Sequence, residues 1–177
     1  MRRLFLPFDP CYKLPMQEIL WAPWRMSYIE KPTTGSSTAA DIFMDLPAES
    51  DDRKNLILAR GECCFSMLNA YPYATGHLLI APYRQVSDIV EMFDDELLEV
   101  QKMIARGIQC IRRAFKPQGF NIGVNMGRSA GAGIPHHIHW HVVPRWDGDG
   151  NFMSVTANTR VLPLSLSDTY ERLREFV

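Results

Sequence analysis

The sequence predicts a mixed chain of short strands around one long helix, and three observations carry that prediction. Short apolar runs bounded by turn residues lie at 55–59, 62–69 and 76–82, the signature of strands joined by tight connections. Apolar residues recur at three- and four-residue steps across 93–115, which is the period of one helix face. The segment Pro135-His136-His137-Ile138-His139-Trp140-His141-Val142-Val143-Pro144-Arg145-Trp146 holds four of the five histidines and alternates them with apolar residues, as a half-buried strand does.

The first 55 residues are the least regular. Met1 to Pro10 starts like a leader, but its apolar run is short and broken by prolines. Residues 1–19 are therefore read as an extension and 20–177 as a single domain. Leu20-Trp21-Ala22-Pro23-Trp24-Arg25 suits a segment draped over the body, Lys31 to Thr38 has loop composition, and Pro47 to Arg53 reads as a polar connector. The run ending at Asn69-Ala70-Tyr71-Pro72-Tyr73 and the run Gly76 to Pro82 suggest an antiparallel pair.

Phe93 to Phe115 is the clearest helix. Leu97, Val100, Ile104, Ile108, Ile111 and Phe115 form its stripe, with Asp94, Asp95 and Glu96 at its positive end. Pro117 and Gly119 stop it. Phe120 to Gly127 alternates as a strand, and the loop Arg128 to Pro135 leads directly into the histidine segment. Asp147 to Asn151 is a turn, Phe152 to Val161 a further strand or irregular segment, and Ser165 to Val177 a terminal helix capped at Ser167 or Asp168.

Composition sets bounds on partners. A net charge of −1 gives no support to binding nucleic acid or a membrane surface, and no apolar run is long enough to span a bilayer. The four cysteines form no metal-ligand spacing and no disulfide framework. Reduced thiols in a cytoplasmic protein are the expectation.

On an extended strand His137, His139 and His141 share one face, against Ile138, Trp140 and Val142 on the other. Three readings fit such a rack. A metal site is limited by geometry, because the outer rings stand ~13 Å apart on a straight strand while zinc bonds are ~2.1 Å. Hydrogen-bonded structural histidines would each need a separate partner. Nucleophilic catalysis by a neutral imidazole needs only an electrophile. The preceding loop favours this third reading, since Gly131 and Gly133 permit backbone N–H groups to cradle an anion, with the Asn125 amide nearby. His139 is best placed to attack phosphorus, flanked by His137 and His141.

His137-Ile138-His139-Trp140-His141-Val142-Val143 resembles the H-φ-H-φ-H-φ-φ signature of the histidine-triad (HIT) superfamily. Leu68 to Tyr73 with Gly76-His77-Leu78-Leu79 is similar to the family's N-x-x-P…G-H segment. Asn125-Met126-Gly127 to Gly133, Val142 to Trp146, Asn151-Phe152-Met153 and Leu20 to Met26 look like the bacterial branch near diadenosine tetraphosphate phosphorylases and hydrolases. The resemblance spans roughly residues 20–155.

That resemblance implies an α+β fold, a HIT-like antiparallel sheet of about five strands with one long and one C-terminal helix. It also implies a homodimer that hydrolyses or transfers nucleotidyl groups through a nucleotidyl-histidine. By position, His139 matches the nucleophile and His137 and His141 the flanking phosphate-site histidines. His77 matches the supporting fourth histidine, Asn69 the ribose-side contact and Asn125 the phosphate-side amide. Met67 and Leu79 fall where apolar residues line the base pocket. Histidine at 141, rather than glutamine, points toward hydrolases and phosphorylases.

The chain departs from the family in two places, the Asp41 and Met44 positions and the extra imidazole of His136. Where relatives often carry a C-x-x-C pair that helps bind structural zinc, this chain has Asp41 and Met44. No metal and no cofactor are expected. His136 is read as incidental, facing away from the triad. The expectation is therefore a HIT-type enzyme cleaving dinucleoside polyphosphates, with a purine nucleotide as its partner. An adenosine phosphoramidase is the enzymatic alternative, and a purine-nucleotide-binding module the non-catalytic one.

Overall fold

A helix appears where the sequence suggested only irregular chain: α1 (Ile42–Ala48), capped by the Asp41 side chain, which accepts from Phe43 N at 3.1 Å. The computed structural model describes residues 41–149 and 162–177. The expected boundary near residue 20, the Leu20–Met26 segment, Asn151 to Met153 and the candidate strand at 152–161 lie outside them. After α1 come β1 (Ile57–Arg60), β2 (Cys64–Leu68), β3 (Leu78–Pro82), α2 (Asp94–Phe115), β4 (Gly119–Val124), β5 (Trp140–Arg145) and α3 (Leu166–Arg174). The five strands form one antiparallel sheet in the order β1-β2-β3-β5-β4.

Both central strands β2 and β3 are buried along their whole length, which requires a cover on each face. On one face, Cys64, Leu68, Leu78, Ile80, Trp140 and Val142 pack with Val100, Met103, Ile104 and Ile111 of α2. On the other, Phe65, Met67, Leu79 and Ala81 pack around Phe43 of α1. Helix α1 is therefore the second cover, and its seven residues, with Pro47 among them, carry no apolar repeat that marks a helix in the sequence.

Helix α2 is tied to the sheet by polar contacts as well as apolar ones. Glu99 accepts from the backbone N–H groups of Glu62, Cys63 and Cys64 at 2.9, 2.6 and 2.7 Å. These donors hold its carboxyl below the usual range, although burial alone pulls the other way. Glu96 accepts from Phe93 N at 2.9 Å and pairs with Arg84 at 2.7 Å. The helix ends at Lys116, which adopts the left-handed conformation (φ 51°) directly before Pro117. Gly107 faces β3 so closely that a methyl group there would lie 2.8 Å from Leu78 Cδ1.

The histidine segment is not one continuous strand. The chain turns at 135–137 and enters β5 only at Trp140. His137 and His139 precede the sheet ladder, and Ile138 N donates instead to Val86 O at 2.7 Å. The apolar alternation still holds, with Ile138, Trp140 and Val142 all buried on the α2 face. Helix α3 is capped by Ser165, which accepts from Asp168 N at 3.1 Å, so the cap lies two residues before Ser167. Among the described residues no helix is long and apolar enough to cross a membrane.

Candidate active site

Cross-strand pairing builds the floor of the site. Ile57 pairs with Met67, Met67 with Leu79, Leu79 with His141 and His141 with Gly123. Directly paired residues share a face, so one row runs across all five strands. Met67 and Leu79 are buried in its middle beside Phe43. Gly123 ends the row with open space above its Cα, leaving room beside His141. Gly123 was not singled out from sequence, because only strand register shows that it neighbours a histidine.

The hydrogen-bond network assigns the histidine tautomers. His139 Nδ1 lies 2.9 Å from the His137 carbonyl, which can only accept. Nδ1 therefore carries the proton, and the neutral ring presents its lone pair at Nε2. Burial pushes the His139 pKa down, and the charge of His137 adds to that, against the opposing influence of its carbonyl bond and Asp41. His139 is thus uncharged near neutral pH, with the lone pair of Nε2 left to act on an electrophile. The Phe43 ring covers it with centroids 4.7 Å apart.

His141 is held the opposite way round. Fully buried His77 accepts at Nδ1 from Tyr73 N at 3.1 Å, with Asn69 Nδ2 also 3.3 Å away. Its proton is consequently on Nε2, which donates to His141 Nδ1 at 2.9 Å. His141 must carry its own proton on Nε2. Burial pushes its pKa down to about 4, with the charge of His139 adding to the effect. Protonating Nδ1 would also set two N–H groups against each other. The rings of His139 and His141 meet edge-on at 5.1 Å, and Tyr73 stacks over His141 at 5.9 Å.

His137 is 1 % exposed and donates from both nitrogens, to Asp41 Oδ2 at 2.9 Å and to Pro82 O at 2.9 Å. His136 does not turn away as a straight strand would require. Because the chain turns there, its Nε2 comes 3.8 Å from the same Asp41 oxygen. On the glycine loop, Gly131 (φ +90°) spends its N–H on Arg128 O at 2.9 Å. Gly133 makes no backbone hydrogen bond among the described residues and stands in open space. The Asn125 amide lies 4.0 Å from where a Gly131 side chain would begin. The loop thus places Gly133 N–H and Asn125, rather than both glycine amides, as available donors.

The other candidates for chemistry are inert or distant. Burial pushes the Cys64 thiol up to about 12 and Cys110 to about 11, so neither is a thiolate nucleophile. A cavity of about 290 Å³ opens on the α2 side, lined in part by Met103, Gly107 and Cys110, and no predicted site residue borders it. A zinc ion of the kind some relatives hold does not fit this chain at Asp41 and Met44. Asp41 Oδ2 is already taken by His137 and by Gln85 Nε2 at 2.8 Å, and Met44 is 43 % exposed. Among the described residues no group of His, Cys, Asp or Glu is arranged to hold a metal ion.

The HIT domain model matches residues 51–148. This chain belongs to the HIT family. It is 39% identical over 155 residues to an AP-4-A phosphorylase of Mycobacterium tuberculosis, covering 85% of this chain and 79% of that one. An asymmetrical bis(5'-nucleosyl)-tetraphosphatase of Schizosaccharomyces pombe is 29% identical, over 52% of this chain and 50% of its own. Among solved structures, a zinc-bound histidine triad family protein of Mycobacterium smegmatis matches with TM-score 0.56 and 25% identity, covering 68% and 81% of the two chains. A HIT-like protein of Bartonella henselae shares the fold, with TM-score 0.57 and 17% identity over 69% and 86% of the chains. The HIT-like α+β sheet of five strands expected from sequence is the one observed.

Proposed function

We propose that this HIT-family protein cleaves dinucleoside polyphosphates through a covalent nucleotidyl-His139 intermediate. The observation that carries the reading is the pinned His139 tautomer, with the proton held on Nδ1 by the His137 carbonyl and the lone pair left at Nε2. The similarity to an AP-4-A phosphorylase over most of the chain supports the substrate class.

In the first step Nε2 attacks the phosphorus next to one nucleoside. A P–N bond forms, the P–O bond to the remaining polyphosphate breaks, and the electron pair leaves on that oxygen. The positive charge on the modified ring is stabilised through Nδ1–H against the His137 carbonyl. His141 offers Nε2–H to an oxygen of the transferring phosphoryl group, as a fixed donor in a water-poor site. Asn125 and Gly133 supply further donors to phosphate, and Asn69 lies on the ribose side. Met67 and Leu79, buried against Phe43, back the apolar side of the base site from the core. In the second step an oxygen of phosphate or water attacks, the P–N bond breaks, and the lone pair returns to Nε2.

The same reading has the protein working as a cytoplasmic homodimer. Edge strand β4, with half-exposed Ile122, supports the pairing, and free Cys63, Cys64 and Cys110 support a reducing compartment. The near-neutral net charge accords with no nucleic-acid or membrane partner.

Incubation with a panel of diadenosine polyphosphates and adenylated amines, with and without inorganic phosphate, tests the reaction. With diadenosine tetraphosphate, transfer to phosphate yields ADP and ATP, and transfer to water yields AMP and ATP. Turnover of no diadenosine polyphosphate under either condition would overturn the proposal. Turnover of the adenylated amines alone would favour the phosphoramidase instead.

A further inference from the structure

Asp41 makes more contacts than a helix cap needs. Its Oδ1 accepts from Phe43 N at 3.1 Å, and that bond alone satisfies the start of α1. Its second oxygen reaches a residue 96 positions away, accepting from His137 Nδ1 at 2.9 Å, and also takes Gln85 Nε2 at 2.8 Å. The Asp41 side chain is only 10% exposed. Burial opposes its charge, but His137, Gln85 and the Phe43 N–H together hold its carboxyl below the ordinary value. On the far side of the imidazole, Pro82 O accepts from His137 Nε2 at 2.9 Å.

A carboxylate on one nitrogen and a carbonyl on the other leave His137 no lone pair to offer, so it carries a proton on each. The backbone carbonyl of this clamped residue is the group that fixes the proton on His139 Nδ1. Phe43, placed by the Asp41 cap, packs on both rings, at 5.2 Å from His137 and 4.7 Å from His139.

We infer that Asp41 is a positioning residue for the nucleophile. It clamps a doubly protonated His137, whose carbonyl then fixes the tautomer and aim of His139. The kinetic consequence rests on the proposed function; the protonation states do not. Neither the triad motif nor the pattern of sequence points to this role.

Asp41→Asn separates the cap from the clamp. Asparagine caps helices as well as aspartate does, so Oδ1 can keep the Phe43 N–H. Its amide N–H groups, however, would face the donors of His137 and Gln85. His137 must then give up its Nδ1 proton or move. Long-range ¹H–¹⁵N correlation spectra of histidine-labelled protein at neutral pH read this directly. In the wild type His137 should show both nitrogens protonated, and His139 a single Nδ1–H tautomer. In Asp41→Asn His137 should become neutral and His139 should lose its single tautomer. The corresponding kcat should fall about 10- to 100-fold, the scale of losing an orienting partner one step from the reacting group, with KM within about twofold.

A neutral His137 in the wild type overturns the inference, and this measurement needs no variant. So does an Asp41→Asn protein with wild-type kcat or an unchanged His139 signal. If the wild type turns over no dinucleoside polyphosphate, the proposed function fails while the spectra still decide the role of Asp41.

Discussion

His139 and His141 are two residues apart and lock into opposite tautomers, one by a backbone carbonyl and the other by a buried histidine. That inversion gives one ring a lone pair at Nε2 and the other a proton there, the two groups that the proposed attack and charge stabilisation need. The motif shows three histidines but not their protons, since the tautomers depend on His77, Tyr73 and the His137 carbonyl. His77→Leu removes the donor to His141 Nδ1, and kcat should fall about 10- to 100-fold in steady-state assays, comparable to losing an orienting partner. Because burial lowers the His139 pKa from the ordinary value of ~6.5, the proposed nucleophile takes up a proton only at lower pH than a free imidazole does. A pH profile of kcat/KM should therefore fall on the acid side with its midpoint below the ordinary histidine value of ~6.5.

At the scale of elements, two attachments hold the site in place. Phe43 on α1 is 1% exposed and contacts His137, His139 and Phe65. Phe43→Ala should cost about 3–5 kcal/mol, the usual range for emptying such a site, seen as a lower denaturation midpoint. Glu99→Ala leaves three backbone N–H groups at the entry to β2 without their acceptor, two of them part-buried. A loss of about 1–3 kcal/mol by urea denaturation is expected. Sequence legibility divided along the same line. Helix α2 and the β2–β3 pair announce themselves by long repeats and turn residues, and their ends fall within two residues of expectation. Helix α1 has seven residues and an internal proline, so its role emerges only from the apolar face it covers. The histidine strand was legible in its alternation but not in its start. Pairing with β3 and β4 begins at Trp140, and the turn before it brings His136 and His137 together on Asp41.

For the molecule as a whole, acid should weaken the fold. The His141 pKa of about 4 in the folded state lies below the unfolded value of ~6.5. Between those values the unfolded chain binds the extra proton, so stability falls as pH drops from ~6.5 to about 4. Asp41, with its pKa also lowered, adds a further loss below its unfolded value of ~3.9. Since His141 is half-buried, the histidine contribution should be about 1–3 kcal/mol after solvent screening, measurable by denaturation at pH 7 and pH 4.5. Light scattering should give twice the chain mass of 20.3 kDa if the protein pairs as proposed.

The most direct test of the central claim is the mass of protein quenched within the first turnover of diadenosine tetraphosphate. One adenylyl group should be found on the wild type, mapped by peptide sequencing to His139, and none on His139→Ala, which should be inactive. An adduct on another residue, or undiminished turnover by His139→Ala, would contradict the account.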